Sequence, residues 1–492
     1  MNPTNDTLAL MKAALSGDAD ISKSITTANG LVAYDLQSPA KNLYPVFTPL
    51  RNRIPRVAGG IGVATNWRTV SSIVGSGFDN QAWIPEGQRS GRMSYATAPV
   101  AANYVTIGEE DSVTFEAVNA GKTFEDVRAT MAVRLLQKLM LKEENALLGG
   151  NATLNLGVPA TPTLSAGGTG ATLPALTYSV IVVALTQEGY YNSSLTSGVA
   201  LSKTVTGADG ATYTIKGGSS NKSAAATQAV TLGQSLTASV TPIRGAIAYA
   251  WFTGAAGSEK LEKITTTNQA VFSAALIGGS QQAATAITAD NSSNPGLAFD
   301  GLMTTALNPA NQAYVATLAT GNSGLTSSGR GSVTEIDTML QAMWDNYQLS
   351  PSVIYCNSQE IKNITNKVIS TTGGAMVRYN VDGKGNDPYA IVAGGIVSSY
   401  FNPFMPEGGA IIPIKIHPKV PPGTVIGWCE NLPMYYQNNE VQNVAEVKTR
   451  ADYYQLDWPV RTRQYETGVY AEQVLAVYCT FALGIITNIT NA

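Results

Sequence analysis

Several short stretches of this 492-residue sequence carry residue types that could do chemistry. Gly121-Lys122-Thr123 stands where a helix begins, and backbone amides with a lysine there would suit a phosphate group. A phosphate-binding loop needs its first glycine at position 116, which is Glu116, so the triplet is read as a glycine turn followed by a threonine cap. Glu109-Glu110-Asp111 could hold a cation or exchange protons, but without a partner cluster the run is read as a solvated turn. The single histidine, His417, precedes Pro418 in an apolar strand context. Any Ser-His-Asp or Cys-His arrangement would have to use it, and no GxSxG elbow occurs. Cys356, Cys429 and Cys479 lie far apart without a CxxC pair, the pattern of buried thiols in a reducing compartment rather than of a disulfide frame or zinc site. No catalytic, metal-binding or cofactor-binding set emerges, and the expectation is a protein that is not an enzyme.

Composition points elsewhere. Charged residues make up 13% of the chain, about half the roughly 25% of ordinary soluble domains. Depletion of charge marks the centre of protein–protein interfaces, so much of this surface is expected to be covered by copies of the same chain. The net charge of −3, without Lys or Arg runs, argues against sequence-specific nucleic-acid binding. Met1 to Gly30 contains Asp6, Asp18 and Asp20 and no apolar run of signal-peptide length, so export by that route is not expected. The longest apolar run, Val474 to Ile486, is too short for a transmembrane helix.

These features must be carried by elements legible in the pattern. Residues 1–55 are read as an arm, with an amphipathic piece around Leu8 to Leu15 and prolines at 45, 49 and 55 that prevent a long helix. Residues 56–108 predict a long hairpin with strands around Ala64 to Ile73 and Val100 to Ile107. Its tip carries Trp83, Ile84 and Pro85 followed by Arg89 and Arg92. A two-stranded ribbon of about 15 residues a side would span roughly 50 Å and would not be stable alone in water, so these five tip residues are the candidate intersubunit contacts. A long helix follows, capped by Thr123 and Asp126, with Phe124, Val127, Met131, Leu135, Leu136, Leu139 and Leu147 on one face. At about 1.5 Å per residue it makes a rod of roughly 37 Å.

From 154 to 295 charge thins and seven alternating runs recur: Thr177–Thr186, Gly198–Val205, Ala211–Lys216, Gln228–Val240, Ala246–Thr253, Lys260–Thr266 and Gln269–Leu276. They predict an all-β sandwich, and Tyr178 to Ala184 and Gly245 to Phe252 resemble immunoglobulin-like and fibronectin-like domains, of which, without a Cys–Trp–Cys arrangement, only the sandwich architecture is carried over. Tyr190, Tyr191 and Trp251 could form a carbohydrate platform, but a core or interface role is expected of them. The insert is expected to project outward and to be removable over 158–292 without loss of assembly. After it, Ser332 and Glu335 predict a capping box for a helix bearing Ile336, Met339, Leu340, Met343 and Tyr347, ended by Pro351. Strands at Val353–Tyr355, Ile391–Val397 and Ile411–Ile416 and a helix near Gln359–Ile369 complete an α/β region. The tail returns to strands at Asn443–Thr449, Tyr453–Leu456, Thr462–Tyr465 and Leu475–Phe481.

The tail Tyr453-Tyr454-Gln455-Leu456-Asp457-Trp458-Pro459-Val460-Arg461-Thr462-Arg463, followed by Tyr465 to Tyr470 and Ile485 to Ile489, resembles the closing strands of the tailed-bacteriophage major capsid proteins. Tyr400 to Phe404, Pro421-Pro422-Gly423-Thr424 and the helix end Glu143 to Gly150 are similar to that family as well, which shares its fold with encapsulins and the herpesvirus capsid floor. The resemblance covers roughly 350 residues, everything outside the insert.

It implies an α+β fold with an N-terminal arm (1–55), an extended hairpin loop (56–108), a peripheral domain with a long spine helix (109–153, completed by 296–330 and 441–492) and an axial domain (331–440). The immunoglobulin-like sandwich (154–295) is inserted. It further implies a shell of hexamers and pentamers enclosing phage DNA, assembled in the host cytoplasm with portal and scaffolding proteins and with possible decoration proteins, and requiring no cofactor and no membrane. Some members cross-link a hairpin lysine to a neighbour's asparagine. No lysine occurs here between Lys41 and Lys122, so a shell without that bond is expected. The rival readings are an encapsulin-like cellular compartment and a surface adhesin built around the sandwich.

Overall fold

The computed structural model describes residues 45–78, 80–122, 125–320, 324–328, 331–371, 378–379, 391–392, 396–405, 408–433, 441 and 443–490. The arm before Pro45, including Leu8 to Leu15, lies outside the described residues, as do Thr123, Phe124 and residues 393–395 of the expected strand Ile391–Val397.

The peripheral layer is a four-stranded sheet in the order Arg56–Ala58, Ala445–Asp457, Gln464–Val477, Val105–Thr114. The two longest strands pair antiparallel from Ala445↔Val477 to Asp457↔Thr467, and Arg56–Ala58 joins parallel beside Val447 to Thr449. The expected strands Asn443–Thr449 and Tyr453–Leu456 are one, because the irregular register between Thr449 and Tyr454 breaks the alternation without ending the strand, and the expected Thr462–Tyr465 and Leu475–Phe481 overlap the two ends of the single strand Gln464–Val477. Glu109, Glu110 and Asp111 lie within Val105–Thr114 and not in a turn.

The spine helix, Val127–Gly149, lays Met131, Leu135 and Leu139 on this sheet around Val469, with Ile107, Val113 and Tyr453 packed against them. Its N-cap is Asp126, whose carboxylate accepts from Arg128 N–H and Ala129 N–H, both at 3.1 Å. The short side chain reaches the second and third amides of the helix, where its charge also suits the macrodipole. A separate helix, Phe115–Gly121, capped by Thr114, precedes it.

The axial layer is a mixed six-stranded sheet ordered Tyr314–Thr317, Leu483–Thr487, Val425–Trp428, Val353–Cys356, Ala410–Ile416, Ser399–Asn402. Helix Thr334–Tyr347 packs Ile336, Met339, Leu340 and Met343 on it. Gly484 permits the approach, since a Cβ there would lie 2.7 Å from Met339 Sδ. The expected capping box does not form: Ser332 Oγ bonds Asp337 and Glu335 accepts from Thr326 N–H, so both side chains tie down the incoming loop instead. The helix stops at Gln348, at φ 55°, before Pro351 is reached.

The insert is two sheets packed face to face: Gln269–Phe272, Ser235–Ser239 and Thr163–Gly167 in one, and Lys260–Thr265, Ala248–Gly254, Leu176–Leu185 and Ala226–Val230 in the other. Trp251, Leu236, Val180 and Phe272 fill the space between them. Val183, Ala250, Phe252 and Ile287 fill the far side of the four-stranded sheet. Burial on both faces explains the unbroken apolar run of Val180 to Leu185. Thr163–Gly167 was not expected. Gln228–Val240 is two strands parted by Gly233 at φ 90°, and Ser202–Thr206 pairs with Thr212–Lys216 as a separate ribbon.

Candidate assembly surface

The hairpin strands are Ala64–Val74 and Ser94–Asn103, paired from Ala64↔Asn103 to Val74↔Ser94 with a bulge between Val70 and Ser72. The second strand, expected to run from Val100 to Ile107, ends at Asn103, and Tyr104 turns the chain into the sheet strand Val105–Thr114. The base is held firmly. Trp67 meets Tyr478 edge-on at 5.3 Å, Tyr104 N–H donates to Val63 O at 2.9 Å, and Arg450 Nη1 donates to Gly62 O at 2.8 Å.

Beyond that base the ribbon has little of its own to rest on. Val70, Ile73, Phe78, Met93 and Tyr95 are each more than half exposed. The five residues singled out in the sequence lie together in the connection between the strands, all exposed, with Trp83 at 90% and Ile84 at 52%. Phe78 O accepts from Gln81 N–H and Pro85 O from Gln88 N–H, so the connection is turned back on itself, and Gly91 sits close against Ser76 at its neck. Arg89 and Arg92 make no ion pair among the described residues. An apolar tip with two uncommitted guanidiniums is suited to an apolar, acidic surface on another molecule.

The hairpin leaves the body beside a buried charge cluster built on two consecutive carboxylates of the spine helix. Glu143 bonds Arg51 Nε at 3.0 Å and also pairs with Arg56 Nη1 and the Tyr453 hydroxyl. Burial, and then the Glu143 charge, push the Tyr453 phenol up to about 12. Glu144 accepts from Leu50 N–H at 2.9 Å and Arg51 N–H at 2.8 Å, and its Oε1 lies 2.6 Å from His417 Nε2. Lys419 N–H donates to His417 Nδ1 at 3.1 Å, so the ring proton resides on Nε2 and is donated to Glu144. The lone histidine is thus a buried joint between the spine helix and the axial layer. The cluster fixes the chain from Leu50 to Arg56 in place, so the hairpin departs from a rigid root.

No protein-family model matches the chain, and no curated protein matches it. Solved structures do align along nearly its whole length. The capsid of a native GTA particle is 9% identical, with a TM-score of 0.43 over 95% of this chain and 100% of that one. The capsid of Myoviridae phage XM1 is 9% identical, with a TM-score of 0.41 over 94% and 99%. The holo-SrpI encapsulin complex from Synechococcus elongatus is 10% identical, with a TM-score of 0.38 over 96% and 98%.

The other candidates for chemistry have structural places. Glu109 pairs with Lys142, and Glu110 accepts from Trp458 Nε1 at 3.1 Å and from the Tyr470 hydroxyl. Trp251 is fully buried and Tyr191 donates its hydroxyl to Pro418 O, so they form no platform. The three cysteines are buried, and burial pushes the Cys356 and Cys429 thiols up to about 12 and Cys479 up to about 11. Among the described residues no His, Cys, Asp or Glu group is arranged for a metal ion, and no helix is long and apolar enough to cross a membrane.

Sequence reasoning missed the Arg51–Arg56–Glu143–Glu144 cluster, whose one signal was a pair of acids interrupting an apolar helix stripe. It also missed the apolar flank of the hairpin, because Val70 and Ile73 fall out of strict alternation at the bulge.

Proposed function

We propose that this chain is a major capsid protein of a tailed bacteriophage, a shell-forming structural protein whose copies complete one another in pentameric and hexameric rings around the packaged genome. The observation that carries this reading is the hairpin. It is a ribbon of strands 11 and 10 residues long, anchored at its base and exposed beyond it, with Trp83, Phe78, Ile73 and Tyr95 open to solvent. A two-stranded ribbon gains too little from its own pairing to hold such a shape in water. A second molecule lying along it would cover the apolar residues, and closed rings of identical copies supply that cover at every hairpin without leaving one over. Trp83, Ile84, Pro85, Arg89 and Arg92 are the contacts assigned to the neighbour.

The low charge content is consistent with extensive covered surface. Scaffolding and portal proteins, and decoration proteins where present, would be its further partners, and the host cytoplasm its place of assembly. Negative-stain microscopy of the purified product tests the proposal. Closed particles are expected, and a uniform monomer-sized species at all concentrations overturns it. Closed particles that package a protein cargo and no nucleic acid would move the reading to a cellular compartment.

A further inference from the structure

The inserted sandwich is joined to the rest of the chain by far more than its two ends. Its six-residue helix, Gln187–Asn192, is wedged between the end of the spine helix and the strap His417–Val420. Gln187 Nε2 donates to Asn145 Oδ1 of the spine helix at 3.0 Å and to Lys419 O of the strap at 3.2 Å. The Tyr191 hydroxyl donates to Pro418 O at 3.1 Å, and Lys419 Nζ stands 5.0 Å over the Tyr191 ring. Gly149 lies so close to Gln187 that a Cβ there would come within 2.2 Å of its Oε1.

A second footing lies at the far end of the sandwich. Asn268 N–H donates to Asn488 Oδ1 at 2.8 Å, Asn488 Nδ2 returns a bond to Asn268 Oδ1 at 3.0 Å, and Asn268 Nδ2 donates to Thr320 Oγ1 at 2.7 Å. Both asparagines are buried. A third is Arg244, whose Nε donates to Leu307 O at 2.8 Å. A module tethered only where it enters and leaves would gain nothing from buried polar contacts this far along the chain from both ends, because each buried polar group costs free energy unless a partner meets it.

We propose that the insert is an internal strut: it braces the axial layer against the spine helix, and the strap His417–Val420 is the joint through which it acts. The strap has contacts on each side. His417 bonds Glu144, Val420 O accepts from Asn357 Nδ2 at 2.9 Å, and Lys419 O and Pro418 O accept from the insert. Glu144 also holds Leu50 N–H and Arg51 N–H, so the same joint reaches the arm root, which the insert contacts through none of these bonds. Loosening the insert's grip on the strap therefore loosens the arm root at one remove. Deletion of 158–292, expected from the sequence to leave assembly possible, would on this reading remove the bonds that hold the strap.

The test is hydrogen exchange on the full, unassembled chain, comparing wild type with Gln187→Leu and Tyr191→Phe, so that it reads the chain itself whether or not shells form. In both variants the amides of 145–149, of His417, Lys419 and Val420, and of Leu50 and Arg51 are expected to exchange faster, by roughly tenfold for Gln187→Leu, which removes two bonds. Strands Leu176–Leu185 and Ala248–Gly254 are expected to keep their protection. Unchanged exchange at the strap and arm root in both variants overturns the strut. If Gln187→Leu unfolds the sandwich itself, seen as lost protection in Ala248–Gly254, then Tyr191→Phe decides alone: faster exchange at the strap supports the strut and unchanged exchange overturns it.

Discussion

Trp83 gives the sharpest test of what the hairpin is for. At 90% exposure it contributes almost nothing to the free chain, so replacing it with alanine should leave the fold untouched. A tryptophan that becomes covered buries roughly 200 Å². At about 25 cal/mol per Å² that corresponds to about 5 kcal/mol. Allowing about half for the area that alanine still buries and for incomplete cover leaves about 2.5–3 kcal/mol per subunit, in the range of an interface hot spot. Each 1.4 kcal/mol or so is tenfold in an equilibrium constant, so Trp83→Ala should raise the critical concentration for assembly about a hundredfold. Light scattering against protein concentration measures that threshold, and urea unfolding of the unassembled chain provides the control. The expected pair of results is a large shift in the first and a change within about 0.5 kcal/mol in the second. An unchanged threshold would refute the reasoning, as would a loss of free-chain stability equal to the loss of assembly.

Three further outcomes follow from buried groups and from the composition of the hairpin. Burial raises the Glu188 carboxyl from its ordinary 4.5 to about 7. A folded-state value above the unfolded one means that its contribution to stability is fully present below pH 4.5 and is lost as pH rises through 7. Glu188→Gln should therefore gain on wild type by about 1–3 kcal/mol between pH 5 and pH 8 in urea unfolding, discounted because the residue is only half-buried, and parallel stabilities would contradict it. Glu143→Gln leaves Arg51 and Arg56 facing a neutral amide and should cost about 3 kcal/mol, read as faster exchange from Leu50 to Ala58; unaltered protection there would show that the cluster does not hold the root. Assembled particles boiled in denaturant should run as single chains on a gel, since the hairpin offers arginines and no lysine; a ladder of linked subunits would contradict this.

What was legible in the sequence follows the strength of local periodicity. The spine helix was visible because Met131, Leu135 and Leu139 recur at helical spacing on one buried face. The pair of packed sheets was visible because short alternating runs were cut by glycines that the chain uses at positive φ, such as Gly210 and Gly233. Caps were less legible. Ser332 and Glu335 have the right spacing for a box, yet Ser332 bonds Asp337 inside the helix and Glu335 accepts from Thr326 N–H in the incoming loop. Long-range features left almost no local trace. The sequence separates Glu144 from His417 by 273 positions, and nothing near either residue announces the other. The strut contacts are hidden for the same reason, since Gln187 and Tyr191 look like any polar helix until the strap is laid against them. Trp83, Ile84, Pro85, Arg89 and Arg92 stand out in the sequence because apolar residues beside arginines, far from any core pattern, are conspicuous without a fold, and Trp83→Ala tests whether they meet a neighbour.

The central claim is that the hairpin is completed by another copy of the chain, and hydrogen exchange across 64–103, compared between unassembled and assembled protein, tests it most directly. The distal amides near Val74 and Ser94 are expected to exchange rapidly in the unassembled chain and to be strongly protected after assembly. Equal protection in both states would contradict it, because the ribbon would then need no neighbour.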